Sequence, residues 1–514
     1  MALANFYDKA AVAASQVLQG IDYSSLAASL ESHVVGLSFD DAAVTAPEGK
    51  RSIELAINLL ARIYPRLSIV PNGSQAGAAV EDLTAIAIAI NPAIEIVSDT
   101  AATTLFIAVG NAEVEAGVPV VYIGSDGWVA RVSTRGPVGS GDTLNPYGAG
   151  AAACFGAANI FRMIFASHLP GGDADEAFSM SLLDYIPNAE NPLNPPLVPI
   201  DLGESYLIGL GAIGNGTVWA LAKTHDLSGV LHLVDGETIE LSNLQRYVLT
   251  TQADEHGSKV AIAAKQFAGT NVQAKPHHQK WGDFLKDAPH WRFDRITVAV
   301  DSDNDRRAVQ AALPRWVVNA WTQPGDLGVS RHDFLGDDAC LMCLYLPQGE
   351  GQHLDRIIAE AIGLPDAFME IRNRLHLNLP TERDFLERAA AAMDVELEQL
   401  LRFENEPLTS FYRQAICGGL VLRLGGALGG TAKHQMAAVP LAFQSALAGI
   451  MLAAELVAHA GGLRAGPLPV TTKIDLLHPL GTYLSVPAKK APSGKCICQD
   501  ADYINVYHAK YGVS

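Results

Sequence analysis

The sequence predicts an α/β protein with two parallel-sheet domains in one chain, divided by a proline-rich linker. Three observations lead there. Strand-like apolar runs alternate with helical patterns along most of the chain, as in sheets covered by helices on both faces. The same order of elements occurs before and after a stretch holding Pro187, Pro192, Pro195, Pro196 and Pro199. A glycine-rich turn, Gly209-Leu210-Gly211-Ala212-Ile213-Gly214, joins the first strand of the second copy to a helix.

In the first copy Val34–Phe39 reads as a strand, Gly49–Ile63 as a helix with apolar helical spacing, and Leu67–Val70 as a strand. Leu105–Gly110, Val118–Ile123 and Trp128–Ser133 come next as strands, then a small-residue helix from Tyr147 to Phe165. Proline fixes φ and has no N–H to donate, so residues 187–200 read as an extended linker. Beyond it, Ser205–Gly209 is a strand, Gly214–Lys223 a helix and Val230–Asp235 a strand. Ile296–Val300, Trp316–Ala320 and Gly328–Phe334 are the next strands, and Val439–Val457 a second small-residue helix. The expected boundaries are a first domain over 1–186, the first half of a second over 201–348, and a charged helical insertion over 349–430. The second domain's remaining half is expected over 431–514. Where the second copy has glycines the first has Ser38-Phe39-Asp40-Asp41. Two carboxylates there repel a phosphate, so the first copy is expected to be inert.

Composition narrows the function. The 514 residues are 49% hydrophobic and 18% charged, with a formal net charge of -19 and a pI near 5.2. That is a well-packed chain whose acidic surface disfavours nucleic acid, since phosphate backbones need clustered Lys and Arg. The start, Met1 to Lys9, lacks the basic and apolar regions of a signal peptide, which points to the cytoplasm. The apolar run Met436–Ala460 carries Pro440, Gln444, Ser445, Glu455 and His459, and is expected as a buried core helix rather than a membrane span. Six cysteines in so long a chain suggest metal and catalysis in a reducing compartment.

Gly209, Gly211 and Gly214 allow a tight turn and let backbone N–H groups approach a phosphate at the positive end of a helix. Asp235 ends the next strand, where a carboxylate accepts from ribose hydroxyls. The glycines and this aspartate suit NAD and ATP equally. Four residues further along the chain favour ATP. Arg246 and Lys259 can neutralise a triphosphate and the charge that develops as pyrophosphate leaves. Asn243 can donate to a phosphate oxygen, and Asp301 can hold Mg²⁺.

The run Asp235-Gly236-Glu237-Thr238-Ile239-Glu240-Leu241-Ser242-Asn243-Leu244-Gln245-Arg246 resembles the signature of the ThiF/MoeB and ubiquitin-activating superfamily. Gly257-Ser258-Lys259 and Val300-Asp301-Ser302-Asp303-Asn304-Asp305-Arg306-Arg307 extend the resemblance in the same order. It implies two Rossmann-like ThiF-type adenylation domains, inactive then active, in one chain. It also implies a basic residue lent by the inert half. Tyr7-Asp8-Lys9 matches that position with Lys in place of Arg, and Arg51 is the alternative donor.

Cys340-Leu341-Met342-Cys343 and Cys496-Ile497-Cys498 are two close pairs of the kind a Cys₄ zinc site needs, although the second is Cys-x-Cys where relatives have Cys-x-x-Cys. Cys154 sits in a small-residue helix and reads as core packing. Cys417 comes after the charged stretch His353–Phe411 and precedes Gly418-Gly419. In ubiquitin-activating relatives an insertion there carries the thioester cysteine. The resemblance therefore implies adenylation of a ubiquitin-like protein's C-terminal carboxylate, a thioester on Cys417, and transfer to a conjugating enzyme. Within the superfamily the chain is most like the bacterial activating enzymes of antiphage conjugation operons. The rival readings are a sulfur-carrier or peptide adenylyltransferase without a thioester, a nucleotide-binding scaffold without turnover, and an NAD-dependent oxidoreductase.

Overall fold

The computed structural model describes residues 3–114, 117–169, 171–288, 290–347, 354–416, 419–424, 439–481 and 485–512. Among these, the strands form two sheets. The first contains β1 (Val35–Asp40), β2 (Arg66–Asn72), β3 (Glu95–Ile96), β4 (Leu105–Val109), β5 (Val120–Asp126), β6 (Val129–Ser133) and β7 (Ala177–Ser181), in the order β3-β2-β1-β4-β5-β6-β7. The second contains β8 (Ile200–Ile208), β9 (Leu227–Val234), β10 (Asn271–His277), β11 (Arg295–Val298), β12 (Trp316–Thr322), β13 (Leu327–Asp333), β14 (Thr471–Ile474) and β15 (Ser485–Val486), in the order β10-β9-β8-β11-β12-β13-β14-β15.

In both sheets the first strand lies inside. The next two step to one side, the fourth crosses to the other, and an antiparallel pair comes after it. The chain order reverses between β1 and β4, and again between β8 and β11. Ligands of open α/β sheets bind at such switch points.

Several edges were not visible in the sequence. β10 contains Gln273, Lys275 and Pro276, which break any apolar pattern; proline is tolerated there because β10 pairs only with β9, at the sheet's edge. β8 begins at Ile200, inside the expected linker, because Ile200 pairs with Leu227 before a bulge between Asp201 and Glu204. The expected helix Val439–Val457 runs instead from Ala442 to Gly461.

Helix Ala442–Gly461 packs between helix Ala212–Lys223 of its own domain and helix Tyr147–Ile164 of the first. Small residues make the approach possible: a Cβ on Gly449 would lie 2.2 Å from the Ile213 carbonyl oxygen, and one on Gly216 2.7 Å from that of Ala446. Although long and apolar enough to cross a membrane, this helix is buried within the protein. Its one carboxylate, Glu455, is fully buried and satisfied from both domains. Arg331 Nε and Arg464 Nη1 each lie 2.6 Å from its Oε2, and Tyr185 Oη donates to its Oε1 at 2.8 Å.

The described part of the expected insertion is largely helical. Helices Leu354–Ala361, Phe368–His376 and Arg383–Met393 lead into short turns that run to Ile416, packed around Phe385, Phe403 and Phe411. Arg388 Nη2 donates to Glu370 Oε1 at 2.8 Å on its surface. Cys417 lies outside the described residues.

Candidate functional site

The glycine loop closes the switch point of the second sheet. β8 ends at Ile208, and helix Ala212–Lys223 starts with Gly211 as its N-cap. Gly209 has φ +90, and a Cβ there would sit 2.6 Å from the Ala299 carbonyl oxygen. A Cβ on Gly214 would sit 2.3 Å from the Gly209 carbonyl oxygen. These two glycines are needed for the turn itself. Gly211 differs: a Cβ there would meet only Tyr247 Oη, at 3.5 Å. Its open side is where a phosphate can reach backbone N–H groups at the helix start.

Asp235 locks this loop to β9. Its Oδ2 accepts from the Leu210 N–H at 2.7 Å and its Oδ1 from the Glu237 N–H at 2.8 Å. Each oxygen keeps a second lone pair for a ribose hydroxyl.

Asn243 lies in the 3₁₀ turn Leu241–Gln245, where its carboxamide oxygen accepts from the Glu240 N–H at 3.0 Å. That leaves its NH₂ group as the end that can donate to a phosphate oxygen. Arg246 closes the turn and Tyr247 comes next, with the guanidinium 5.6 Å from the Tyr247 ring centre. Lys259 opens helix Lys259–Lys265 and brings its ammonium 5.3 Å from the same ring. Two cations thus share one aromatic ring beside Gly211, a favourable arrangement for each.

Lys259 Nζ pairs with Glu237 Oε2 at 2.5 Å. Burial opposes the ammonium's charge, but Tyr247, Asp235 and Glu237 outweigh it and hold the lysine above its ordinary value. Burial pulls Arg246 below its own, opposed by Tyr247, Asp301 and Glu240. Asp301 is thus one of the charges that favour the Arg246 guanidinium. It is exposed just beyond β11, and Arg306 Nη2 fixes its approach by donating to the Val300 carbonyl at 2.6 Å. Arg306 is itself buried and donates through Nε to Asn319 Oδ1 at 2.9 Å, so this trailing arginine serves the backbone.

The structure separates the two candidate donors from the first domain. Helix Tyr7–Val17, which carries Lys9, packs against the turn Leu241–Gln245. Arg51 instead donates to the Lys223 carbonyl at 3.1 Å. Lys223 ends a helix of 12 residues, roughly 18 Å from the glycine loop.

The insertion also reaches the site. Arg413 Nη1 lies 3.0 Å from Glu240 Oε1, and a Cβ on Gly419 would lie 2.3 Å from the Asp8 carbonyl oxygen. The described residues on either side of Cys417 thus contact the turn that holds Asn243 and the helix that holds Lys9.

The four remaining predicted ligands come together elsewhere. Cys340 Sγ is 3.5 Å from Cys496 Sγ and 3.8 Å from Cys343 Sγ, and Cys343 Sγ is 3.5 Å from Cys498 Sγ. All four sulfurs lie within 4.8 Å of one another. A tetrahedral zinc with Zn–S bonds of about 2.3 Å spaces its sulfurs by about 3.8 Å, so the tetrad could bind such a metal. The Cys-x-Cys pair joins the Cys-x-x-Cys pair in this one cluster. The tetrad ties the loop after β13 to the segment before helix Ala501–Tyr511. Cys154 is fully buried, as expected of core packing, and burial pushes its thiol upward.

Sequence reasoning missed Tyr247 and Glu237. Neither has a spacing signal: an aromatic after an arginine and an acid after a strand end are common on any surface.

Two family models match different parts of the chain. Residues 203–496 match the ThiF family, and residues 38–166 match Prokaryotic E2 family C. A relative from Sinorhizobium fredii (strain NBRC 101917 / NGR234), Uncharacterized protein y4jF, is 46% identical over 514 residues, covering 100% of this chain and 98% of that one. Among solved structures, E. coli MccB with MccA and AMPCPP aligns at 15% identity over 56% of this chain and 65% of its own, with a TM-score of 0.35. PaaA aligns at 21% identity over 25% of this chain and 41% of its own, with a TM-score of 0.22. The chain thus covers less than two thirds of either solved structure.

Proposed function

Because the chain belongs to the ThiF family, we propose that it is an ATP-dependent activating enzyme for the C-terminal carboxylate of a ubiquitin-like protein. The observation that carries adenylation is the convergence of Arg246 and Lys259 on Tyr247 beside Gly211, at a switch point of the second sheet. Two fixed cations and a helix N-terminus suit a triphosphate. A hydride-transfer enzyme has no use for them.

In the proposed reaction a carboxylate oxygen attacks the α-phosphorus, the bond to the β-phosphate oxygen breaks, and pyrophosphate leaves. Arg246 and Lys259 stabilise the charge that gathers on the departing oxygens. The triphosphate competes with Glu237 for Lys259, and Glu237 is free to turn outward because its side chain is 70% exposed. Asp301 is the residue that would hold Mg²⁺, which when bound withdraws charge from the phosphates. Asp235 orients the ribose, and Lys9 is the basic residue lent by the first domain.

The Cys417 thiolate then attacks the acyl carbon, and AMP leaves as the thioester forms. A conjugating enzyme's thiol takes the acyl group by a second exchange. Support for this step comes from the contacts of Arg413 and Gly419, which bring both flanks of Cys417 to the site's edge. The first domain reads as an inert scaffold. Cys154 is the sole cysteine within residues 38–166, and its full burial denies it an acyl acceptor's role. Reduced thiols fit a cytoplasmic setting, and a bacterial antiphage conjugation operon belongs to the same proposal.

The test compares wild type with Cys417→Ala, each incubated with Mg·ATP and a candidate ubiquitin-like protein and then run on a non-reducing gel. A thiol-sensitive adduct in wild type alone is expected. Pyrophosphate release from both proteins, with no adduct, moves the chain to the sulfur-carrier or peptide branch.

A further inference from the structure

Arg62 is a buried guanidinium with no carboxylate partner among the described residues. It lies just past helix Pro47–Ala61 of the first domain and is 2% exposed. All its described bonds go to uncharged oxygens. Nη1 donates to the Leu244 carbonyl, Nη2 to the Thr250 carbonyl at 2.9 Å, and Nε to Asn58 Oδ1 at 3.0 Å. Asn58, one helical turn earlier, donates through Nδ2 to the Val248 carbonyl at 3.1 Å. Burial pulls the guanidinium down to about 9, which still leaves it charged at neutral pH.

The three carbonyls belong to one short segment of the second domain, Leu244 to Thr250. It contains Arg246 and Tyr247 and lies outside every strand and α-helix. Its N–H groups are used mostly locally: those of Arg246 and Tyr247 go to the Asn243 carbonyl and that of Thr250 to the Tyr247 carbonyl, while that of Leu249 goes to Asn215 Oδ1 at 3.3 Å. The carbonyls at 244, 248 and 250 face the other domain and would be left buried without Arg62 and Asn58. Desolvating a guanidinium to bind neutral carbonyls is costly. A fork with fixed geometry holds two of them in a set relation, which an ammonium cannot do.

We infer that Arg62 and Asn58 are positioning residues, which clamp the Leu244–Thr250 backbone so that Arg246 and Tyr247 stand where a nucleotide's phosphates bind. The inference rests on the reading of this site as an ATP site and adds a role for the first domain. That domain shapes the site through main-chain carbonyls, independently of any side chain it extends toward the nucleotide.

The test measures Mg·ATP binding by calorimetry on the full chain, with no carboxylate substrate required. The variants are Arg62→Met, Arg246→Ala and the double substitution, with Asn58→Ala as a milder cut of the same clamp. Misplacing Arg246 by even about 1 Å is enough for a loss of about tenfold or more. Arg62→Met is expected to weaken binding by about as much as Arg246→Ala, and the double variant no further, because both remove one interaction. Asn58→Ala is expected to give a smaller loss that likewise vanishes on an Arg246→Ala background. A clamp that only stabilises the fold leaves binding by the folded variants unchanged, or gives losses that multiply with Arg246→Ala; either result overturns the inference. If Arg62→Met does not fold, the Asn58→Ala cycle decides by the same criterion. Wild type that fails to bind Mg·ATP overturns the ATP reading, and the clamp's purpose with it.

Discussion

Gly211→Ala would separate the proposed phosphate-approach role of the glycine loop from its role in folding. At Gly211 φ is -67, a value open to any residue, and the added methyl meets only Tyr247 Oη at 3.5 Å. Stability should therefore hold within about 1 kcal/mol, with a small gain expected because alanine restricts the unfolded chain. Binding should not hold. The methyl would occupy the side from which, in the proposed reading, a phosphate approaches the backbone, and a charge-assisted hydrogen bond is worth about 1.5–3 kcal/mol. Loss of one such bond weakens Mg·ATP binding by about 10- to 100-fold.

Gly209→Ala and Gly214→Ala are the contrast. The first forces a side chain into φ +90 and toward Ala299 O at 2.6 Å, and the second puts a methyl 2.3 Å from Gly209 O. Strained backbone and overpacking each cost about 1–3 kcal/mol, so both should lower the melting temperature. Calorimetric titration with Mg·ATP beside thermal melts reads both effects. Gly211→Ala that melts like wild type and binds within twofold of it would refute the claim that phosphate approaches this backbone.

Asp301→Ala should leave melting unchanged, since the side chain is exposed, while ATP–pyrophosphate exchange with a cognate substrate falls at least tenfold; retained exchange would remove Asp301 from the site. Glu455→Gln should destabilise by about 3–5 kcal/mol in urea unfolding at neutral pH, because it takes the buried carboxylate from two arginines whose side chains are only 9% and 14% exposed. Burial would raise the Glu455 carboxyl, but Arg331 and Arg464 overcome it and hold it at about 2, below the ordinary 4.5. That depression is worth roughly 3 kcal/mol above the unfolded value. It is lost as pH falls through 4.5 toward 2, so the gap between wild type and variant should narrow over that range; a gap independent of pH would refute the assignment. Elemental analysis should find about one zinc per chain, and Cys343→Ser should bring it below about a third while hydrogen exchange rises in helix Ala501–Tyr511. Full zinc occupancy in the variant would exclude the tetrad.

The features legible in the sequence are local or periodic. The glycine loop, the aspartate just after β9 and the alternation of strands and helices lie within short windows, where turn sterics and side-chain period dictate the outcome. The two cysteine pairs were legible for a related reason. Thiols at metal-ligand spacing announce their chemistry before their partners are known, though only the fold brings Cys340 within 3.5 Å of Cys496. The edges were illegible. β3 is only two residues long, and β10 carries a proline that only an edge allows.

How the site is held was settled by tertiary packing. Sequence offered Lys9 and Arg51 as equal donors; packing set Lys9's helix against the Asn243 turn and bound Arg51 at the far end of helix Ala212–Lys223. It also put Lys259 on Glu237 and Tyr247, and Arg62 on carbonyls about 180 residues away. No pattern encodes such pairs, because a main-chain carbonyl is identical at every residue. Which carbonyls are left without a partner is settled only when the two domains close against each other and exclude water.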